Sequence, residues 1–169
     1  SLVKKAHEEG IPVIDELEFA CRFSAGKVIA ITGTNGKTTT TLLTYHLMKE
    51  AGLDVGLAGN VGKSWAGQLV EKDHDWWVIE TSSFQIDGFE CFKPEIAMLT
   101  NITPDHLDRY EYQLDNYILS KMNLFKMMSV RDKAIFYAED PLSQKGLAMK
   151  PQKATPFWIS LNGPQSNGG

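Results

Sequence analysis

The chain has 169 residues, 43% of them hydrophobic and 22% charged, and a formal net charge of −4. That length supports one well-buried domain, hiding about 70% of the unfolded chain's surface, and the acidic balance argues against a general electrostatic grip on nucleic acid. No apolar stretch approaches the ~18 residues of a membrane span, Ser1–Gly10 lacks a signal-peptide core, and Cys21 and Cys91 stand alone without metal-ligand spacing, so a cytoplasmic location with inert thiols is expected.

Along the chain, periodicity alternates between helix and strand, the pattern of an α/β domain with a mainly parallel sheet flanked by helices. Helices are predicted over Leu2–Glu9 and Glu16–Arg22, on either side of a short apolar run, Ile11–Ile14. A strand over Lys27–Thr32 enters the glycine-rich turn Gly33-Thr34-Asn35-Gly36-Lys37-Thr38, and a helix over Leu42–Ala51 follows, closed by Gly52 as a C-cap. Asp54–Ala58 is a further strand, and Gly59-Asn60-Val61-Gly62 leads to a helix ending near Lys72. Trp76–Ile79 and Ile96–Leu99 are continuous apolar runs, as expected of strands buried on both faces. Helix Leu114–Met128, strand Ala134–Tyr137, helix Pro141–Met149 and strand Pro156–Leu161 complete the pattern before a polar, glycine-containing tail. Both ends read as cut, as in an excised domain.

Ligands of an open parallel sheet sit outside the carboxyl ends of its strands, and three chemically loaded segments fall there. The first is the loop after Lys27–Thr32. Its backbone N–H groups and the following helix start form a phosphate cradle, Lys37 can reach terminal phosphates, and the Thr38 hydroxyl can ligate Mg²⁺. The strict Walker spacing would need glycine at 31, where the chain has Ile31. The second segment is Glu80-Thr81-Ser82-Ser83-Phe84-Gln85, after Trp76–Ile79. Glu80 is placed as an acid beside Mg²⁺ would be, or as a strand-end carboxylate turned to water. Ser82, Ser83 and Gln85 supply short hydrogen-bonding groups, or a helix cap. The third is Thr100 to Tyr110, in which His106 between Asp105 and Asp108 suits a metal or proton-transfer role, or an ordinary surface one.

Lys121 falls in the middle of the apolar stripe Leu114, Tyr117, Ile118, Leu124, Phe125 and Met128. Burial there would lower its pKa. The amine could then act as base or nucleophile, or take up CO₂ as a carbamate; the alternative is a buried stem with its head in water.

Together, Ile31 to Thr39, Gly59-Asn60-Val61-Gly62, Glu80 to Gln85, Asn101 to Tyr110 and Tyr117-x-x-x-Lys121 resemble the Mur ligases, the ATP-dependent amide ligases of peptidoglycan synthesis. The resemblance runs from about Val3 to Ala138, and the family's shorter loop accommodates Ile31. Ser-Ser-Phe-Gln after the acid is similar to the branch that joins D-glutamate to UDP-N-acetylmuramoyl-L-alanine through an acyl phosphate. The resemblance implies that Gly33, Thr34, Asn35, Gly36, Lys37, Thr38, Thr39 and Thr40 hold the ATP phosphates. It implies that Thr38, Glu80, His106 and Lys121, the last as a carbamate, organise Mg²⁺, with Lys37, Lys121 and His106 catalytic. Asn60, Ser82, Gln85 and Tyr117 would line the UDP-sugar site. It further implies that residues 1–22 are a linker or the end of a UDP-binding domain, and 23–169 a truncated central ATP-binding domain. That domain would bind nucleotide but lack turnover without the N- and C-terminal domains. A P-loop NTPase or kinase, a non-catalytic nucleotide-binding module, and another Mur or folate-type ligase are the alternatives.

Overall fold

A computed structural model describes residues 5–6, 8–105, 107–163 and 168. All six strands pair in parallel, in the order β2-β3-β1-β4-β5-β6. They are β1 (Lys27–Thr32), β2 (Val55–Gly59), β3 (Trp76–Glu80), β4 (Ile96–Leu99), β5 (Lys133–Tyr137) and β6 (Thr155–Ile159). The helices are α1 (Glu16–Cys21), α2 (Lys37–Glu50), α3 (Trp65–Leu69), α4 (Ser83–Ile86), α5 (Leu114–Met122) and α6 (Pro141–Met149), with short 3₁₀ turns at Leu107–Tyr110 and Asn123–Phe125. Lys5, Ala6 and Glu8 are helical, while the remainder of the helix expected over Leu2–Glu9 lies partly outside the described residues. No described helix is long and apolar enough to cross a membrane.

Alternation along each strand sends side chains to opposite faces. Val28 and Ala30 join a large core with Leu17, Trp65, Trp77, Ile118 and Phe136. Ile29 and Ile31 pack with Val55 and Val78 under Tyr45 and Met48 of α2 on the other face. Trp65 and Trp77 are wholly buried, with ring centroids 5.7 Å apart. From β1 the chain moves outward to β2 and back to β3, then crosses to β4 on the other side of β1. This reversal opens a crevice above β1, β3 and β4, where the three motif-bearing loops emerge.

Several element bounds differ from expectation for identifiable reasons. Helix α2 starts at Lys37 rather than Leu42. Its threonine run has low intrinsic helix propensity, but Gly36 at φ 79 turns the chain into the helix and Thr40 Oγ1 donates to Gly36 O at 2.8 Å. Helix α5 stops at Met122 and tightens into a 3₁₀ turn rather than running to Met128. Helix α3 ends at Leu69, short of Lys72, and Ile11–Ile14 forms no regular element.

Gly59 ends β2 at φ 99, and a Cβ there would lie 2.1 Å from the Glu80 carbonyl oxygen. Gly59→Ala is therefore expected to destabilise the fold by at least about 2 kcal/mol, read as a lower denaturant midpoint.

Candidate active site

The loop after β1 is tied down by the segment that follows β4. Thr34 N–H donates to Asn101 O at 2.9 Å, and Asn35 N–H donates to Asn101 Oδ1 at 3.0 Å. Thr100 Oγ1 and Asn101 Nδ2 both donate to Asn35 O, at 2.8 and 3.0 Å. Thr34 Oγ1 accepts from Thr103 N–H at 3.0 Å and lies 3.1 Å from the Tyr117 hydroxyl. The phosphate loop is thus pre-shaped by side chains about 66 residues distant in sequence. Lys37 Nζ donates to Thr34 O at 2.9 Å. Thr38, Thr39 and Thr40 stand on the first turn of α2, the first two exposed and the third half-buried.

Glu80 is 1% exposed at the end of β3, which rules out the reading of a carboxylate turned to water. Asn60 fixes it: its amide Nδ2 donates to Glu80 Oε1 at 2.8 Å, and its backbone N–H donates to Glu80 O at 2.9 Å. Glu80 Oε2 is buried and has no hydrogen-bond partner among the described residues. An orphaned buried carboxylate oxygen is costly, and a divalent cation is the group that would satisfy it. The residues present therefore fit Mg²⁺, a hard ion that favours oxygen ligands.

Ser82 and Gln85 cap α4. Gln85 N–H donates to Ser82 Oγ at 3.3 Å, and Ser82 N–H and Oγ both donate to Gln85 Oε1 at 3.0 Å. This capping box leaves Ser82 at the cavity edge and commits Gln85 to the helix start.

Lys121 does not snorkel. It is 2% exposed, its Nζ donates to Gly33 O at 2.8 Å, and it stands 4.8 Å from the centre of the Tyr117 ring. Burial first, then the positive charge of Lys37, lowers its pKa to about 7, against the opposing pull of Asp105 and Asp87. Near neutrality, a large share of this amine therefore carries a free lone pair. Asp87 also accepts hydrogen bonds from Ser120 Oγ at 2.6 Å and Tyr110 OH at 3.0 Å, which fastens α5 to α4 and fixes where Lys121 enters the site.

One cavity of about 180 Å³ is lined by Gly33, Lys37, Asn60, Ser82, Ser83, Phe84, Asp105, Tyr117 and Lys121. It brings together six side chains singled out from sequence: Lys37, Asn60, Ser82, Ser83, Tyr117 and Lys121. Thr34, Asn35, Gly36, Thr38, Thr39, Thr40 and Gln85 are absent from its lining, Glu80 adjoins it only through Asn60, and His106 lies outside the described residues. Sequence reasoning missed Phe84 and Asp105 as wall residues, and Thr100, Asn101 and Thr103 as the clamp on the loop. The only sequence signal for the clamp is its position directly after an apolar strand.

A parallel sheet whose first strand feeds a glycine-rich loop and helix, with a buried acid closing the neighbouring strand, defines a P-loop-type nucleotide-binding α/β domain. Residues 31–165 match the Mur ligase middle domain, and the chain belongs to that family. It is 48% identical over 167 residues to a UDP-N-acetylmuramoylalanine–D-glutamate ligase of Christiangramia forsetii, which covers 99% of this chain and 38% of the relative. A Bacteroides fragilis ligase of the same name is 51% identical over 146 residues, covering 86% of this chain and 33% of the relative. The chain thus spans between about a third and two fifths of these relatives' length. In fold it resembles a UDP-N-acetylmuramate:L-alanyl-gamma-D-glutamyl-meso-diaminopimelate ligase from Neisseria meningitides, at TM-score 0.66 and 19% identity over 92% of this chain and 53% of that one. It also resembles a MurF ligase of Thermotoga maritima solved with ADP, at TM-score 0.63 and 22% identity over 84% of this chain and 35% of that one.

Proposed function

We propose that this chain supplies the ATP-binding part of a cytoplasmic ligase that joins D-glutamate to UDP-N-acetylmuramoyl-L-alanine in peptidoglycan synthesis. The observation that carries the reading is the single cavity in which Lys37, Lys121, Asn60, Ser82 and Tyr117 meet beneath the phosphate loop. The relatives at 48% and 51% identity bear that ligase's name, which supports the choice of acceptor. In the proposed reaction the γ-phosphoryl of ATP passes to the substrate carboxylate and ADP leaves. The D-glutamate amine then attacks the acyl carbon, gives up a proton, and inorganic phosphate departs. Further domains of the same protein would hold the UDP group and the D-glutamate.

The chain's own part is positioning and charge. Backbone N–H groups from Gly33 to Thr40 cradle the phosphates at a helix start. Lys37 leaves the Thr34 carbonyl for a phosphate oxygen, where it offsets charge developing on the transferred group. Asn60, Ser82 and Tyr117 orient the substrate, with Gln85 acting through its cap on Ser82. Thr38, Glu80, His106 and Lys121 would hold Mg²⁺, which supplies charge neutralisation on the triphosphate. Lys121 contributes as a carbamate, since its lowered pKa leaves an amine able to add CO₂ and become an oxygen ligand.

The test is phosphate release by a polypeptide of the relatives' full length. Release should require ATP, UDP-N-acetylmuramoyl-L-alanine and D-glutamate together, and Glu80→Gln should lower it at least about 100-fold, the scale of losing one transition-state charge contact. Release with ATP alone, unaffected by Glu80→Gln, would point to a simple NTPase and overturn the reading.

A further inference from the structure

A second cluster of reactive side chains lies away from the cavity, beside α1. Glu18 and Cys21 sit three residues apart on that helix, and Cys91 arrives from the loop before β4, 73 residues from Glu18 in sequence. One carboxylate oxygen of Glu18 and the two sulfurs all lie within 4.8 Å of one another. The cysteines that look isolated in sequence are neighbours in space.

Glu18 is held rigidly as an anion. It is fully buried, and its carboxylate accepts from the backbone N–H groups of Glu90, Cys91 and Phe92 at 3.0, 3.0 and 2.9 Å. Arg22, which also pairs with Glu90 at 2.9 Å, donates to it through Nε and Nη2 at 3.1 and 3.0 Å. Burial alone would raise its pKa, but the hydrogen bonds from Cys91, the Glu90 and Phe92 amides and Arg22 outweigh it and hold the pKa low. Cys91 Sγ donates its proton to Glu18 Oε1 at 2.8 Å, and Cys21 Sγ donates to Glu18 O at 3.1 Å. Cys91 is exposed and Cys21 half-buried, so the sulfur side opens to water.

We propose that Glu18, Cys21 and Cys91 form a binding site for one thiophilic divalent cation, for which Zn²⁺ is the best match. Two sulfurs and a carboxylate oxygen suit zinc and not Mg²⁺, which takes oxygen ligands alone. The ion takes the place of the proton that now bridges Cys91 Sγ and Glu18 Oε1, so that oxygen needs no new lone pair. Both thiols release a proton on binding, and Zn²⁺ with Arg22 balances one carboxylate and two thiolates. A water fills the fourth position from the open side. Affinity rises with pH, as protons compete less well for the sulfurs. The bound ion clasps α1 to the loop before β4.

The reduced chain should be titrated with Co²⁺ as a spectroscopic probe and then with Zn²⁺. One equivalent of Co²⁺ should give a thiolate-to-cobalt charge-transfer band that Zn²⁺ displaces, and Zn²⁺ should protect both cysteines from alkylation. Cys21→Ser and Cys91→Ser should each weaken binding at least about 100-fold while the far-UV spectrum is kept. A folded chain without the band, or a band that persists in the Cys21→Ser/Cys91→Ser double variant, overturns the proposal. If the variants fail to fold, alkylation of the unaltered chain decides, and sulfurs left unprotected by Zn²⁺ overturn it.

Discussion

Replacing Lys121 with methionine is expected to stabilise the fold while removing the chemistry proposed for that position. The folded state holds this lysine at a pKa of about 7 against 10.5 for the free side chain. The unfolded chain therefore binds the proton more readily between those values, and stability rises with pH across that window. Below pH 7 the charge penalty is present in full, on the order of 4–5 kcal/mol. Methionine removes the penalty but also the hydrogen bond to the Gly33 carbonyl, a loss of about 1–2 kcal/mol. The net gain at pH 7, in CO₂-free buffer without nucleotide, should be about 2–3 kcal/mol. It should fade with rising pH, cross zero near about pH 9–10, and become a loss of about 1–2 kcal/mol above 10.5, where only the missing hydrogen bond remains. Urea midpoints of the two proteins across pH 6 to 10 check the sign and the window.

Lys37→Met is the second large effect. Lys37 is the first residue of α2, and its ammonium rests on the Thr34 carbonyl at 2.9 Å beside the cavity. Charge-assisted hydrogen bonds of this kind contribute about 1.5–3 kcal/mol, so ATP binding should weaken by about 10- to 150-fold. The helix start is set by Gly36 and Thr40 rather than by this side chain, so stability should change by less than about 1 kcal/mol. Calorimetric titration with ATP, paired with a denaturant curve, separates the two quantities.

Much of the site was legible because its signals are local. The glycine spacing before Lys37, the acid closing an apolar strand at Glu80, and the cation inside an apolar stripe at Lys121 each state their environment within a few residues. The crevice followed from strand alternation, since loops after parallel strands share one edge. What stayed hidden depends on which strands become neighbours. The clamp from Thr100, Asn101 and Thr103 exists because β4 pairs with β1 rather than with β3, a choice no local pattern encodes. The meeting of Cys21 and Cys91 has the same origin, a loop after α4 folding back on α1. Gln85 could be read as a substrate group or as a cap, and its bonds to Ser82 show the cap. The early start of α2 was obscured by threonines whose weak helix propensity is overridden by the turn at Gly36.

The most direct measurement is a titration of the 169-residue chain with ATP, with and without Mg²⁺, repeated on Glu80→Gln. One site should bind ATP more tightly when Mg²⁺ is present, and Glu80→Gln should erase that Mg²⁺ advantage while leaving metal-free binding intact. Absence of ATP binding by the folded chain, or a Mg²⁺ effect indifferent to Glu80, would contradict the assignment of this cavity as a Mg²⁺-nucleotide site.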